Sequence, residues 1–156
     1  MKLQVAADWV EEPLKTFVMD ARAEIAVLMH PSGQVLGQYG FTRSVDVVTA
    51  CALGAAIHAS SGELGRQMQG KPFTGMHYAG KAKQIFLAPV EAQSGTLLLL
   101  TVFDEESSLG LVQLYFKEFA AAVSKAAPSL QGAETALASD FEKELNKNLA
   151  AMFGRT

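Results

Sequence analysis

The sequence contains a single cysteine, Cys51. No disulfide can form within the chain, and a single thiol fits a reducing compartment. A chain of 156 residues buries roughly 70% of its unfolded surface on folding, so it needs neither a disulfide nor a metal. We therefore expect an apolar core, which the hydrophobic fraction of 49% can supply.

The composition of the sequence is not typical of a targeting or anchoring segment. Lys2, Gln4 and Asp8 lie near the start, unlike the charged and then apolar pattern of a signal peptide. No purely apolar run approaches the roughly 20 residues of a membrane-spanning helix. We expect a soluble cytoplasmic protein without membrane insertion.

The charge balance argues against one large class of partners. The formal net charge is −3, whereas a nucleic-acid interface usually shows as a basic stripe or patch. We therefore expect no nucleic-acid partner.

Residues that hold metals or cofactors form no recognisable motif. The histidines, His30, His58 and His77, share no metal-ligand spacing, and the sequence has neither a cysteine pair nor an HExxH motif. Neither a GxxxxGK[ST] phosphate loop nor a GxSxG nucleophile elbow occurs. The sequence thus indicates no metal, no cofactor and no familiar catalytic centre.

One short stretch, His30–Gly33, has two interpretations. A histidine beside a serine can act as its general base, but this chemistry also needs a group that orients the histidine. The sequence places no such carboxylate nearby. We favour the alternative, in which Pro31, Ser32 and Gly33 form a hairpin turn and His30 lies at its rim.

Three further positions also carry a chemical and a structural interpretation. The run Asp104–Glu106 has carboxylates for acid–base work, but such charge is also typical of a helix N-terminus. Cys51 would be a nucleophile only with an exposed thiol of lowered pKa, and its small apolar neighbours favour a packed side chain. Arg43 has the chemistry of an arginine finger, and we favour an ordinary solvated arginine.

The pattern of apolar and turn residues predicts an α+β domain over residues 1–128 and a helical extension over residues 129–156. Short connections between strands predict hairpins, so we expect an antiparallel sheet with long helices against one face. The predicted strands are Ile25–His30, Gln34–Tyr39, Thr74–Ala79, Gln84–Val90 and Gly95–Phe103.

Two helices are predicted in the first half of the chain. The first, over residues 8–21, is expected to be short or broken because Pro13 falls in its middle. A long alanine-rich helix follows from Val45 to about Gln69, with Ser44 as its N-cap.

Two more helices are predicted in the second half. One begins after a cap at Ser107 or Ser108 and stops before Pro128. The other, over residues 133–153, is amphipathic. Its apolar stripe consists of Leu137, Phe141, Leu145, Leu149 and Met152.

The long helix carries two stripes of mostly small side chains, which would let its backbone approach a neighbour closely. That neighbour is either the sheet of the same chain or the same helix of a second chain. The first stripe is Val47, Cys51, Gly54, His58, Ser61, Gly65 and Met68, and the second is Val48, Ala52, Ala55, Ala59 and Gly62.

Three pieces of the sequence together carry a family resemblance. The most specific is LLLLTVFDEESSLGLVQLY, an apolar strand, an acidic turn and a helix start. The hairpin VLMHPSGQVLGQYG and the small-residue helix accompany it. Over roughly Pro13–Ala127 the chain resembles the Roadblock/light-chain-seven (Roadblock/LC7) family, and in particular its bacterial MglB-like members, which act on small Ras-like GTPases.

The resemblance implies an α/β/α-type fold with a five-stranded antiparallel sheet, and a homodimer. In this family the long helix after the hairpin, and the strand after that helix, pair with their symmetry mates. Carried onto this chain, the dimer interface comprises Val47, Cys51, Gly54, His58, Ser61, Gly65, Met76 and Tyr78.

The function implied by the resemblance is regulation of a small Ras-like GTPase, most simply activation, by a dimer without an active site of its own. MglB-like dimers reposition residues of the GTPase and supply no arginine finger. Two alternatives stay open. The chain could be a scaffold subunit that assembles other proteins, or a small-ligand sensor with a PAS- or profilin-like fold.

Contacts with the GTPase are expected at two places. Arg43 lies just before the long helix, and Phe141, Leu145 and Leu149 lie in the C-terminal stripe. Tails of some MglB-like proteins reach the partner GTPase, and the resemblance implies a similar contact for this tail as a whole, without a residue-by-residue match.

Overall fold

The described residues of the computed structural model, 2–40, 46–93, 95–126 and 147, form helices and an antiparallel sheet. The elements are α1 (Lys2–Ala21), β1 (Ile25–Met29), β2 (Val35–Gly40), α2 (Val47–Gln69), β3 (Met76–Ala79), β4 (Gln84–Ala92), β5 (Gly95–Phe103) and α3 (109–126). The strand order is β2-β1-β5-β4-β3, and all neighbouring pairs are antiparallel. The predicted α+β fold with a five-stranded antiparallel sheet is confirmed.

The predicted C-terminal helix over residues 133–153 lies outside the described residues, except for Lys147, which is helical and exposed. The division at residue 128 into a domain and an extension also falls outside them and stays a prediction.

The sheet is covered by helices on both faces. On β5, Leu97 and Leu99 belong to the apolar cluster with α1 and α3, whereas Leu98 and Leu100 belong to the cluster with α2. The placement of all long helices against one face, predicted from the pattern of elements, is therefore wrong, whereas the α/β/α layering implied by the resemblance is confirmed. A strand with leucines on both sides requires cover on both faces of its sheet.

Helix α1 is continuous over 20 residues although Pro13 lies inside it. The predicted break is therefore wrong. Pro13 has no N–H to donate to the preceding turn, but the turns on either side are held by burial of Val10, Leu14 and Phe17. Gly37 of β2 permits this close packing, because a Cβ there would lie 2.6 Å from Val10 Cγ1.

The predicted hairpin joins β1 to β2. The N–H of His30 donates to the carbonyl oxygen of Gln34, and the N–H of Gly33 donates to that of His30, both at 2.8 Å. Gly33 has a φ of 97°, in the left-handed region that favours glycine. The turn interpretation of this stretch is confirmed.

Both ends of α2 are capped. The N-cap is Asp46 rather than the predicted Ser44, which lies outside the described residues. The Asp46 carboxylate accepts hydrogen bonds from the Thr49 hydroxyl (2.7 Å) and the Thr49 N–H (3.2 Å). At the other end Gly70 has a φ of 82°, and its N–H donates to the carbonyl oxygen of Arg66 at 3.0 Å.

Two serines fix the start of α3. Ser108 Oγ accepts a hydrogen bond from the N–H of Leu111 at 3.2 Å, as expected of an N-cap. The Ser107 hydroxyl donates to the carbonyl oxygen of Ala21 at the end of α1. This contact ties α1 to α3 on the face of the sheet that they share.

Candidate protein–protein interface

Helix α2 packs on the sheet through its smallest side chains. Its buried residues are Cys51, Gly54, Ser61 and Gly65. A Cβ added at Gly54 would lie 3.2 Å from Met29 Cε, and one added at Gly65 would lie 2.6 Å from the Phe73 nitrogen. The described contacts of these glycines lie within the same chain, with the sheet at Gly54 and with the 71–73 segment at Gly65.

The other predicted interface residues lie nearer the surface. Val47 and His58 are half-buried on α2, and Met76 is half-buried on β3. Tyr78 is 42% exposed. Four of the eight residues are therefore covered within one chain, and the remaining four lie at least partly at the surface.

The outer side of α2 exposes large apolar side chains. Those of Val48, Leu53, Leu64 and Met68 are between 51% and 73% exposed. Single exposed apolar residues are common on soluble proteins, but several on one helix mark an interaction surface.

Sequence reasoning missed Leu53 and Leu64, although their spacing carried a signal. Leu53, Ile57, Leu64 and Met68 follow one another at intervals of four, seven and four residues, which places them along one side of a helix. Ile57 packs against the apolar cluster beneath α2. The stripe is therefore partly buried at Ile57. It is exposed at Leu53, Leu64 and Met68, which together form the exposed flank of α2.

The exposed flank of α2 is turned away from the hairpin. A Cβ at Gly33 would lie 3.4 Å from the Ala52 Cα, so the hairpin turn approaches α2 at Ala52. At 100° per residue, Leu53, Leu64 and Met68 lie about 100–160° around the helix from Ala52. The hairpin therefore leaves this flank open to another molecule.

Strand β3 supplies a second part of the same surface. It lies at the edge of the sheet and pairs with β4 on one side. Met76 lies opposite Leu87, and Tyr78 lies opposite Ile85; Leu87 and Ile85 belong to the cluster beneath α2. The side chains of Met76 and Tyr78 are thus on the α2 side, next to a row of backbone groups that pairs with no further strand among the described residues.

By length and composition, α2 is also the one helix in the described part of the chain that could cross a membrane. Its caps and its contacts with the sheet place it in the fold of this domain. An apolar helix that is covered on one side only is suited to a second protein surface.

His30 and Ser32 form a local contact at the rim of the hairpin. Their Nδ1 and Oγ atoms are 3.0 Å apart, and the N–H of Ser32 donates to the same Nδ1 at 3.1 Å. Within the described residues no carboxylate is hydrogen-bonded to the imidazole. Since Nδ1 already accepts from the backbone, the ring is poorly placed to activate the Ser32 hydroxyl.

The other candidate chemical groups also have structural roles. Cys51 is buried, and burial raises the pKa of its thiol, which disfavours the thiolate. Asp104 Oδ1 accepts from the N–H of Glu106 at 2.9 Å, in the turn before α3. Across the described ranges, no group of three or more His, Cys, Asp or Glu side chains could hold a metal ion.

The predicted GTPase contacts fall where the structure gives no information. Arg43 precedes α2, and Phe141, Leu145 and Leu149 belong to the C-terminal stripe. All four lie outside the described residues and stay predictions.

No protein-family model matches the sequence, and no curated protein matches it either. The fold is similar to MglB of Myxococcus xanthus, with a TM-score of 0.71 and 24% identity, over 79% of this chain and 90% of that one. It is similar to a structure of MglB with a tetrameric arrangement (TM-score 0.72, 23% identity, 80% and 91% covered). It is also similar to a Roadblock/LC7 domain from Streptomyces avermitilis (TM-score 0.61, 16% identity, 76% and 95% covered). The predicted resemblance is confirmed, and the chain has the Roadblock/LC7 fold in a form similar to that of MglB.

Proposed function

We propose that this protein is a homodimer that regulates, and most simply activates, a small Ras-like GTPase by contact, without an active site of its own. The observation that carries the proposal is the exposed apolar surface of α2 beside the free edge of β3. The fold similarity to MglB and the resemblance to MglB-like GTPase regulators supply the partner class. The proposed setting is the cytoplasm.

The α2 flank provides the apolar part of the dimer contact. Leu53, Leu64 and Met68 are each at least half exposed in the single chain. Complete burial of such a side chain is worth about 1.5–3 kcal/mol. In a twofold dimer each side chain contributes twice, because the same patch is used by both subunits.

The β3 edge provides the backbone part. A twofold axis beside β3 would bring two copies of the strand together in antiparallel order and extend the sheet across the dimer. Only four residues, Met76–Ala79, form this strand, so its hydrogen bonds alone would make a weak contact. The α2 flanks and the β3 edges together would therefore form one continuous interface.

Action on the GTPase is proposed to be indirect. In the part of the chain that the structure describes, His30, Cys51 and Asp104 have structural surroundings and form no constellation for hydrolysis. Arg43, Phe141, Leu145 and Leu149 are the proposed partner contacts. The protein would then change the GTPase's own geometry rather than complete its chemistry.

Phosphate release under single-turnover conditions tests the regulatory role. A small Ras-like GTPase from the same organism is loaded with GTP, and the rate is measured with and without excess protein. An acceleration of about tenfold or more is expected. Binding without acceleration would instead favour the scaffold alternative, and absence of binding would contradict the proposal.

A further inference from the structure

A groove between α1 and α3 lies on the face of the sheet opposite α2. Its volume is about 340 Å³, near the lower end of the roughly 300–1,000 Å³ of ligand-binding clefts. Residues of α1 line one wall and residues of α3 line the other. The groove is distinct from the α2–β3 surface and stays open if that surface forms a dimer.

The floor of the groove is aromatic. Phe17 and Phe119 are buried, and their ring centroids are 5.7 Å apart. Tyr115 lines the same groove and is half-buried. Such a floor favours an apolar anchor side chain, and aromatic faces also attract cations.

The rim of the groove is acidic. Glu12 and Asp20 on α1 and Glu118 on α3 line it, and all three are exposed. The lining includes no lysine or arginine. Among the described residues none of these three carboxylates forms a salt bridge. The groove therefore combines an apolar floor with negative charge on both walls.

We propose that this groove binds a cationic amphipathic helix of a partner protein. An apolar side chain of that helix rests on Phe17 and Phe119, and lysines or arginines on either side meet the rim carboxylates. Complementary charge of this kind selects partners and increases the rate of association. Because each chain has one groove, the binding ratio is one helix per chain, in a monomer or a dimer.

Charge decides between a partner and the chain's own C-terminal segment. That segment follows α3 and carries an apolar stripe, so it has the tether and the hydrophobicity to compete. However, residues 129–156 carry four carboxylates and three basic side chains: Glu134, Asp140, Glu142 and Glu144 against Lys143, Lys147 and Arg155. A segment without an excess of positive charge matches the acidic rim less well than a basic partner helix, which would neutralise it.

A pair of labelled peptides tests the proposal by fluorescence anisotropy with the full-length protein. The probe is Ac-AKRAFARLAKRA-NH2, and its matched control, Ac-AEEAFAELAEEA-NH2, keeps the apolar residues and reverses every charge. We expect saturable binding of the basic peptide at one per chain, weakened by added salt. We expect no measurable binding of the acidic peptide.

Variants of the groove supply the site-specific controls. Glu12→Lys combined with Glu118→Lys should weaken binding of the basic peptide at least about tenfold, since the rim then has two lysines and keeps only the Asp20 carboxylate. Glu11→Lys combined with Glu105→Lys makes the same change in net charge at exposed positions outside the groove, and should leave most of the affinity.

Filling the groove separates apolar docking from charge attraction. Thr16→Trp places a large side chain at an exposed lining position and should also reduce affinity about tenfold, whereas Lys15→Trp beside it should not.

Equal effects of groove and control variants would overturn the proposal, as would a deletion of residues 129–156 that creates affinity absent from the full chain. The second result would assign the groove to the chain's own segment. Sedimentation of the same samples measures dimerisation separately from peptide binding.

Discussion

At the scale of single residues, Gly65 and Gly62 of α2 offer a matched pair. A Cβ at Gly65 would lie 2.6 Å from the Phe73 nitrogen and 2.7 Å from the Lys71 oxygen, and these backbone atoms have little freedom to move. At Gly62 the nearest atoms belong to the Arg66 guanidinium, at 3.9 Å or more. The same substitution should therefore have opposite effects at the two positions.

Gly65→Ala should destabilise the protein by about 1–3 kcal/mol, because the clash exceeds the gain in helix propensity. Gly62→Ala should stabilise it by about 0.5–1 kcal/mol, since only the propensity changes. Urea unfolding at neutral pH measures both. Equal shifts in the two midpoints would show that α2 does not approach the 71–73 segment as described.

Asp46 provides a prediction for pH. Its carboxyl pKa is lowered in the folded chain, mainly by the Thr49 hydroxyl and then by the Thr49 N–H. Its stabilising effect is therefore present above the unfolded pKa of about 3.9 and is lost as the pH falls through the folded pKa.

Asp46→Asn keeps a capping side chain that does not ionise. The wild type should be the more stable of the two at pH 7, and the difference should shrink below about pH 4. Urea midpoints at a series of pH values give this difference directly. A difference that stays constant down to pH 3 would exclude a contribution from the ionised cap.

At the scale of elements, the α2 flank should control self-association. Leu53→Glu combined with Leu64→Glu places charges at two exposed positions and should give a folded monomer, because burial of an unpaired carboxylate is costly. Leu114→Glu is the matched control, since Leu114 is 52% exposed on α3, on the opposite face. It should remain dimeric in analytical ultracentrifugation.

The same comparison shows why residues of the small stripe are poor probes. A side chain at Gly54 meets Met29 at 3.2 Å and Leu87 at 3.9 Å, so a bulky charge there would damage the core rather than test the dimer.

A Leu53→Glu/Leu64→Glu variant that stays fully dimeric would show that the exposed flank of α2 is not part of the dimer interface. It would not affect the groove between α1 and α3.

Local sequence signals predicted some elements correctly and others incorrectly, for physical reasons. The hairpin turn at Gly33 and the end of α2 at Gly70 were predictable, because a left-handed glycine leaves a local sequence signal. Pro13 suggested a break in α1, but burial of Val10 and Leu14 outweighs a lost hydrogen bond, and burial is a tertiary property. The small residues of α2 indicated which side of the helix approaches a neighbour. They did not indicate whether that neighbour is the chain's own sheet or the same helix of a second chain.

The candidate interface was only partly predictable. Small residues such as Gly54 suggested close approach, and the structure shows that Gly54 approaches Met29 and Leu87 of the chain's own sheet. Leu53 and Leu64 could be interpreted as outward-facing only after the inner face was known. Met76 and Tyr78 were placed by resemblance, and their exposure depends on β3 lying at the sheet edge.

At the scale of the whole molecule, two different surfaces lie on opposite faces of one sheet. The α2–β3 surface is apolar and suits a second copy of the chain, whereas the α1–α3 groove has an acidic rim and suits a basic partner. A protein with this arrangement can dimerise and still bind further proteins on the outside. The two properties should therefore respond independently to substitution.

Thermal stability provides the last prediction, because dimerisation links it to concentration. If the folded chain associates through the α2–β3 surface, the wild-type Tm should rise by roughly 2–5 °C for each tenfold increase in concentration. The Leu53→Glu/Leu64→Glu variant should melt at one temperature throughout, and Leu114→Glu should follow the wild type. Scanning calorimetry between about 1 and about 100 µM measures this dependence over the range where association competes with unfolding. A wild-type Tm that does not change with concentration, together with monomeric sedimentation, would show that the exposed flank of α2 is not a dimer contact.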